Sequence, residues 1–435
     1  MNLAIKGAIV RFFCLATFPL AFSIIAEPAS AASSFTKVYT FCQQASCTDG
    51  MNPYTAPPFV TASGDIFGTA EKGGDATGGV IYRLAKSGDS YTYSRIYTFC
   101  HDAPTCTDGG YPVGHLIQDK DGNFYGVTAY NSKVYELVAN AGRTAWTYKV
   151  VFSFGAGGVL TKGWQTTAGL TYKGAGDGEL YDGKSALYGT TTSGGAANQG
   201  VVYQLTPHAG GWTQDVLYDF CSKTNCADGK SPGHVALLMD KTGKTLTGTT
   251  IFGGANAGGV VFQLKGGKKG WKQTVLYDFC SKAPSCADGE HPDSALVADG
   301  DGAFYGTTIS TAVDGGIVYK LVPGRKPKYT VLYHYCQTDC ADGDQPYAPL
   351  TMDALGNLYA VAMDQGVGGG TLMLLAKKGK KFKPTLLHTF CSETGCADGQ
   401  HPFAPVVFDA SGNLYGTTNM GGNSGNGGIV FKLKP

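Results

Sequence analysis

The pattern of apolar and polar positions repeats along the chain with a period near 58 residues. An apolar pentad such as VVYQL (Val201–Leu205) or IVFKL (Ile429–Leu433) marks each unit. The final leucines of the pentads are Leu84, Leu137, Leu205, Leu264, Leu321, Leu375 and Leu433. A repeat of this kind indicates seven structural units, each of which buries its faces against its neighbours.

Each unit contains four short runs of β-branched, aromatic or alternating residues, which is the pattern of β-strands. In the fifth unit these runs are Ala295–Asp299, Ala303–Thr308, Ile317–Leu321 and Lys328–Tyr335, separated by turns rich in glycine. No stretch after the N-terminal leader shows a helical period of apolar residues, and the chain holds 64 glycines. The pattern predicts an all-β protein, a seven-bladed β-propeller of four-stranded antiparallel blades.

The seventh unit contains only three of these runs, and the fourth is found near the N-terminus. Ser34–Phe41 resembles Trp212–Phe220, the fourth strand of the third unit. We therefore expect Ser34–Phe41 to pair antiparallel with Ile429–Leu433 and close the ring, which removes a free sheet edge. The alternative is a frayed N-terminal strand beside an open solenoid.

Residues 1–31 have the pattern of a secretion signal. Lys6 and Arg11 give a basic start, an apolar run covers 12–26, and Ala29–Ala31 is a small-x-small cleavage pattern. The apolar run is too short for a membrane span. Residues 32–435 are then expected to form a single propeller domain, exported to the extracellular space or the periplasm.

Charge excludes two classes of partner. Without the leader, 32 basic and 32 acidic residues remain, so the formal net charge is zero. A protein without basic excess has no electrostatic attraction to nucleic acid or to an anionic membrane surface. We expect a monomer without a cofactor.

The cysteines after the leader form six close pairs, each of which follows a fourth strand and precedes an Asp-Gly. The predicted disulfides are Cys42–Cys47, Cys100–Cys106, Cys221–Cys226, Cys280–Cys286, Cys336–Cys340 and Cys391–Cys396. An even cysteine count in an exported chain favours disulfides. Metal binding is the alternative, but the spacings vary and no histidine pair accompanies them.

The third unit departs from this pattern. It lacks the cysteine pair and carries the insertion Gly174–Lys184 between its first two strands. Asp177, Glu179 and Asp182 alternate in the insertion and are a calcium candidate, since calcium prefers oxygen ligands. The alternative is a solvated acidic hairpin, and we expect no other metal site.

Two polar motifs recur with the repeat. The motif C-[AT]-D-G-x-x-P occurs six times and indicates turn chemistry, because the carboxylate bonds nearby backbone N–H groups and the glycine takes a positive φ. A ring of aspartates that offers several equivalent ligand sites is the alternative. The motif D-x-x-G-N-[LF]-Y-G-T-T, as at Asp409–Thr418, predicts a tight turn followed by an inner strand.

Taken together, D-G-x-x-P…L-x-x-D-x-x-G-N-L-Y-G-T-T-x-x-G-G…G-x-V-F-x-L resembles the GloVer (Gloeo/Verruco) tandem repeat of exported bacterial proteins, often named choice-of-anchor. The resemblance covers about residues 35–435. It implies an exported repeat protein and assigns no functional residue. The paired cysteines are an elaboration of this chain.

Motifs of several enzyme classes are absent: the sequence has no H-E-x-x-H, no G-x-S-x-G and no P-loop. A non-catalytic binding or scaffold module is therefore favoured, with a glycan or protein ligand on the face that bears the cysteine and glycine-rich loops. Loop aromatics such as Tyr54 and Tyr111 suit sugar stacking, although packing beneath the loops explains them equally well. The candidate ligand-binding residues are Asp288, His291, Asp398, His401, Tyr347 and Phe403.

The alternative is a secreted hydrolase or lyase that acts on polysaccharide in the central funnel. Such a site requires a cluster that breaks the repeat, and His115 and His234 near the third unit are the only hint. A pair of carboxylates, or a histidine beside a carboxylate, in the funnel would support catalysis.

Overall fold

Antiparallel sheets follow one another along the chain as the blades of a propeller. The computed structural model describes residues 33–155, 160–234, 236–312, 315–336, 339–366, 368–423 and 425–435, and in these residues there are seven sheets. The predicted secretion signal, residues 1–31, lies outside the described residues. The seven-bladed all-β prediction is confirmed.

The strands are numbered in chain order. The N-terminal strand is β1 (Ser34–Thr40). Blade one has β2 (Phe59–Val60), β3 (Ile66–Ala70), β4 (Val80–Ser87) and β5 (Ser90–Thr98). Blade two has β6 (Gly110–Gln118), β7 (Phe124–Tyr130), β8 (Lys133–Ala139) and β9 (Trp146–Ser153). Blade three has β10 (Leu187–Thr191), β11 (Val201–His208) and β12 (Gly211–Asp219).

Blade four has β13 (Leu238–Met239), β14 (Thr245–Thr250), β15 (Val260–Gly267) and β16 (Gly270–Asp278). Blade five has β17 (Val297–Ala298), β18 (Phe304–Thr308), β19 (Ile317–Val322) and β20 (Lys328–His334). Blade six has β21 (Thr351–Met352), β22 (Leu358–Ala362), β23 (Thr371–Lys378) and β24 (Lys381–Thr389). Blade seven has β25 (Val407–Phe408), β26 (Leu414–Thr418) and β27 (Ile429–Lys434). Helical structure is limited to 3-10 turns at Ala45–Cys47, Leu160–Lys162, Ala175–Asp177, Thr224–Cys226 and Thr394–Cys396 in the described ranges.

The first strand of each blade lies at the axis of the ring. Strand β2 contacts both β6 and β25, the first strands of the two neighbouring blades. The second and third strands are the most buried, and the fourth strand is the most exposed. Residues just before a first strand therefore reach the central channel.

The N-terminal strand completes blade seven. Strand β1 pairs antiparallel with β27, with Ser34 opposite Lys434 and Thr40 opposite Ile429. The sheet order is β1-β27-β26-β25, so both ends of the described chain meet in one blade. The predicted ring closure is confirmed, and the pairing removes the free edge that β27 would otherwise present.

A packing rule explains why the Y-G-T-T motif needs its glycine. Gly68 in β3 lies opposite Tyr82 in β4, and a Cβ on Gly68 would overlap the tyrosine ring. Other blades repeat this close approach, but blade six has Ala360 opposite Met373. A larger residue on the second strand is thus matched by a slimmer one on the third.

The third blade has a three-stranded sheet where the repeat predicts four strands. An isolated bridge between Thr171 and Tyr188 stands in the place of the first strand. The insertion instead turns toward blade two, where Tyr181 N–H donates to the Gln118 carbonyl at 2.9 Å and the buried Tyr181 ring packs on Tyr125. Its backbone pairs with the neighbouring blade and does not extend its own sheet.

Six disulfides hold the blade-to-blade loops, each within a single loop and each between the predicted cysteines. Disulfides persist in oxidising surroundings, so their number indicates an oxidising environment for the folded protein. Across the described part of the chain, no helix is long and apolar enough to cross a membrane.

Candidate functional site

Connectors between the blades bring the loops of one face together. We define a connector as the residues between each Asp-Gly and the following first strand. In the connector of blade five, Glu290 pairs with Ser310 of its own blade, and His291 N–H donates to the Gly258 carbonyl in the glycine-rich loop of blade four at 2.8 Å. The cysteine loops and the glycine-rich loops therefore share one face, which we call the cysteine-loop face.

The repeated aspartates accept hydrogen bonds from within their own cysteine loops. Asp288 is buried, and its Oδ2 accepts hydrogen bonds from Tyr277 Oη at 2.7 Å and from the Ser281 backbone N–H at 2.9 Å. Asp398 is likewise buried and accepts from Ser392 Oγ at 2.8 Å. The structure thus places both candidates within their own loops, which agrees with turn chemistry.

Hydrogen bonding keeps Asp288 ionised. Burial alone would raise the pKa of the Asp288 carboxyl. The hydrogen bonds from Ser281, Tyr277 and the loop backbone lower this pKa by a larger amount, so the net shift is downward. The charge is balanced locally and is not directed toward a ligand.

His291 and His401 lie at the junctions between blades. Both are half-buried and take a positive φ, 56° and 54°. The His291 ring packs edge-on against Phe252, with centroids 5.0 Å apart, and His401 Nδ1 lies 3.3 Å from the Met363 carbonyl oxygen. These two histidines form a rim around the channel mouth rather than its centre.

The residue directly after each connector proline belongs to a ring around the axis. We call this set the post-proline ring, and its members are Tyr54, Val113, Gly233, Asp293, Tyr347 and Phe403. Members from adjacent blades meet. The centroids of Tyr347 and Phe403 are 5.7 Å apart, and those of Phe403 and Tyr54 are 4.4 Å apart.

Tyr54, Tyr347 and Phe403 form an aromatic arc across blades one, six and seven. All three rings are half-buried, so each keeps part of its surface open. The structure therefore brings together the two candidate aromatics and Tyr54. Burial, reinforced by the nearby charge of Glu71, raises the pKa of Tyr54 to about 12, so its hydroxyl stays protonated and can donate a hydrogen bond.

Asp293 is the acidic member of the post-proline ring, and its side chain pairs with a histidine. Its Oδ2 lies 2.8 Å from His234 Nδ1, and its Oδ1 accepts the His234 backbone N–H at 2.8 Å. The Asp293 side chain is 4% exposed, whereas the His234 side chain is 37% exposed. The glycine before His234 leaves the space for this carboxylate, since a Cβ on Gly233 would overlap Asp293 Oδ1.

Glu71 faces this pair from the other side of the ring. It follows β3 in blade one, whereas His234 belongs to blade four. Burial raises the pKa of Glu71, while Lys72 and His234 oppose the shift without cancelling it. For His234, burial lowers the pKa, but Asp293 and Glu71 together raise it above its usual value. Blades one and four are not adjacent, so the mutual effect of Glu71 and His234 on their pKa values indicates that both side chains lie near the axis.

The register of the repeat carries a signal for these residues that motif searches miss. After the Y-G-T-T strand the other units have Ala129, Thr192, Ile251, Ile309, Met363 and Asn419, so Glu71 is the only charged residue there. The backbone confirms the register, since Glu71 N–H donates to the Asn52 carbonyl and Ile309 N–H donates to the His291 carbonyl. Sequence analysis singled out His234 but missed Asp293 and Glu71.

The calcium candidates make contacts of their own. Asp177 Oδ1 pairs with Lys241 Nζ at 2.9 Å, and Asp182 Oδ1 accepts the backbone N–H groups of Lys184 and Ser185. In the described residues, the only cluster of three potential metal-binding side chains is Cys280, Cys286 and Glu290, and its cysteines form a disulfide. These contacts agree with a solvated acidic hairpin, which pairs with blade two through Tyr181 and contacts blade four through Asp177.

Comparison with known proteins adds the family. Residues 131–366 and 274–435 match the sequence profile of the Gloeobacter/Verrucomicrobia repeat, so the two matches together span most of the chain. The chain belongs to the Gloeobacter/Verrucomicrobia repeat family. The resemblance drawn from the sequence motifs is thereby confirmed, and no curated protein matches this member of the family.

Solved structures similar to this Gloeobacter/Verrucomicrobia repeat protein share its fold at low identity. Virginiamycin B lyase from Staphylococcus aureus is 12% identical, with a TM-score of 0.55 over 93% of this chain and 99% of that chain. A catalytically inactive variant of that lyase, solved with quinupristin, has a TM-score of 0.56 at 12% identity and the same coverage. A chain of a nidogen/laminin complex is 13% identical, with a TM-score of 0.40 over 72% of this chain and 88% of that chain. The likeness to the two lyase structures, at this identity, shows the fold alone.

Proposed function

We propose that this protein is an exported carbohydrate-binding propeller, and that its binding site is the mouth of the central channel on the cysteine-loop face. The observation that carries the proposal is the aromatic arc. Tyr54, Tyr347 and Phe403 come from three consecutive blades and meet at the axis, with their rings partly open.

The chemistry of the mouth matches that of a sugar. A pyranose ring presents an apolar face of C–H groups and an edge of hydroxyl groups, so its binding site combines aromatic surface with a few polar groups. The arc supplies the aromatic surface. His234 and Asp293, together with Glu71 near Tyr54, supply donors and acceptors.

The scaffold orders this mouth before a ligand arrives. Six disulfides constrain the loops that surround it, and the buried aspartates fix the backbone inside each loop. Loops held in advance lose less conformational entropy on binding. Binding residues also concentrate on loops that a rigid scaffold positions.

We further propose that the protein is exported and that it is a monomer. The pattern of residues 1–31 and the six disulfides support export to the extracellular space or the periplasm. Closure by β1 covers the edge of β27 with a strand of the same chain, which supports a monomer. His291 and His401 are proposed to add weaker contacts at the rim.

A glycan array with the disulfide-intact protein tests the proposal. We expect retention of glycans, and at least a tenfold weaker dissociation constant for Phe403→Ala and for Tyr347→Ala, because each variant loses a stacking surface worth about 1.4 kcal/mol. The matched control is Lys268→Ala with Lys269→Ala, in the hairpin between β15 and β16 on the opposite face.

Two results would overturn the proposal. One is an array and a pull-down in which only proteins, and no glycans, are retained. The other is loss of glycan binding in the lysine variant with unchanged binding by the two aromatic variants, which would place the site on the opposite face.

A further inference from the structure

The channel mouth contains more than a binding surface requires. His234, Asp293 and Glu71 are the only histidine or acidic residues at their respective positions of the repeat. Stacking on the aromatic arc needs none of them. A cluster that departs from the repeat at the axis is the feature that a catalytic site in this fold would require.

The Asp293 contact fixes one side of the imidazole. With Nδ1 directed to the buried carboxylate at 2.8 Å, Nε2 is the ring nitrogen left for a ligand in the channel. The second contact, from the His234 backbone N–H to Asp293 Oδ1, ties the carboxylate to the connector of blade four. An oriented imidazole beside a buried carboxylate can hold and release a proton at a defined place.

Glu71 completes an acid–base pair across the axis. Its carboxylate favours the protonated form of His234, and the imidazolium in turn favours the ionised form of Glu71. Each group thus stabilises the charged form of the other. The combination of a carboxylate and an imidazolium on opposite sides of one opening provides a base and an acid together.

Local charge selects the kind of glycan. Asp293 Oδ2 contacts His234, Glu71 interacts with His234 and with Lys72, and Asp344 acts on Tyr347. These three carboxylates outnumber the imidazole and the lysine, so a polyanionic chain of uronic acids would be repelled. A neutral glycan carries no such penalty.

We infer that the channel mouth is also a hydrolytic site for a neutral glycan, with Glu71 as the base, His234 as the acid and Asp293 as the residue that positions His234. This inference rests on the proposed function, since the aromatic arc must first hold the sugar.

The reaction needs water and no other reactant. Glu71 takes a proton from a water molecule, whose oxygen attacks the anomeric carbon and forms the new C–O bond. The glycosidic C–O bond breaks, and its electron pair stays on the leaving oxygen, which takes the proton from His234 Nε2. A reducing sugar and an alcohol leave. Glu71 then releases its proton to solvent, and His234 takes one up.

The test is hydrolysis of the glycans that the protein retains, followed as new reducing ends by mass spectrometry. We expect cleavage of neutral glycans, a bell-shaped pH dependence, and at least a hundredfold lower rate for His234→Ala and for Glu71→Gln. Each side chain also forms a hydrogen bond to the sugar, so binding should weaken by up to about tenfold, far less than the loss in rate. His208→Ala is the matched control, because this exposed histidine lies at the hairpin between β11 and β12 on the opposite face, and its rate should stay within threefold of the original.

Asp293→Asn separates positioning from structure. Removal of this charge lowers the pKa of His234, so the alkaline limb of the pH profile should move to lower pH, a shift that a merely structural role would not produce.

Failure here differs from failure of the proposed function. A protein that retains glycans but releases no reducing ends from about pH 4 to about pH 9 overturns the hydrolytic site and leaves the binding proposal intact. Cleavage at an undiminished rate by both His234→Ala and Glu71→Gln would also overturn it. A protein that retains no glycan contradicts the binding proposal itself.

Discussion

Asp288 and Asp293 lie in the same connector but belong to different parts of the molecule. Asp288 has five counterparts in other units and faces into its own loop. Hydrogen bonds from that loop stabilise its charged form. Asp293 has no acidic counterpart in the post-proline ring and holds His234 at the axis. In a repeat protein, a polar residue that recurs maintains the fold, and one that occurs once marks a site.

The blade junctions and the channel mouth differ because only the junctions have the same structural role in every blade. Every blade junction must solve the same problem, namely to cap a loop and join two sheets, so the same residues recur. The channel mouth on the cysteine-loop face is instead one site to which several blades contribute. A ligand there contacts different blades with different groups, and selection can vary each position separately.

The largest effect is expected from Asp288→Ala. The substitution leaves the Tyr277 hydroxyl and the Ser281 and Lys282 N–H groups without their acceptor, so we expect a loss of about 3 kcal/mol in the free energy of unfolding. Thermal or denaturant unfolding with intact disulfides measures it. The matched variant Asp293→Ala should cost less than about 1 kcal/mol, because its partner is partly exposed. Equal losses would remove the distinction between the two carboxylates.

A second prediction concerns the packing of the framework. Gly306→Ala places a Cβ against the Tyr319 ring and should cost about 2 kcal/mol. Adding Tyr319→Met should recover most of this loss, since the pair then copies Ala360 and Met373 of blade six. A double-mutant cycle gives the coupling. Additive losses would contradict the packing rule, and channel-mouth binding should be unaffected throughout.

Acid should weaken the framework gradually. Burial raises the pKa of Asp228 and Asp288, but hydrogen bonds lower it to a net value below the ordinary 3.8. A carboxylate whose folded pKa is depressed contributes stability above its unfolded pKa, and this contribution is lost as the pH falls through the folded value. Stability should therefore be level near neutrality and decline below about pH 4. Unfolding curves measured across this range check it, and a constant midpoint would be inconsistent with these hydrogen bonds.

The smallest effect has the opposite sign. The folded pKa of Glu71 is raised, so its charged form costs stability at pH values above both the folded and the unfolded pKa. Glu71→Gln should therefore leave the free energy of unfolding unchanged or raise it by less than about 1 kcal/mol at neutral pH. Asp288→Asn provides the contrast, because it should lower the same quantity. A clear loss of stability in Glu71→Gln would assign Glu71 to the framework.

Local patterns were enough to predict most of the fold. Strand periodicity, Asp-Gly turns and cysteine spacing act over a few residues, and the spacing of the pentads then fixes the number of blades. The pairing of Ser34–Phe41 with β27 followed from counting the strands in the seventh unit. The three-stranded sheet of blade three could not be predicted in this way. The insertion pairs with blade two through the contact of Tyr181 with Gln118, which joins residues far apart in the sequence.

The candidate site was harder to predict for a related reason. Tyr347 and Phe403 were identified as loop aromatics, but their meeting with Tyr54 depends on the convergence of separate blades at one axis. His234 and Asp293 lie in different units and meet only because connectors of adjacent blades touch. Asp288 and Asp398 became candidates because their loops lie on the predicted binding face, although their recurrence already indicated turn chemistry.

Ring closure by β1 has a consequence for the order of events in the life of the chain. Ser34 is among the first residues of the propeller to be synthesised, and Lys434, its partner, is almost the last. Contacts between such distant residues form late in folding. Blade seven cannot be completed while synthesis continues, so the ring stays open until the whole chain is available.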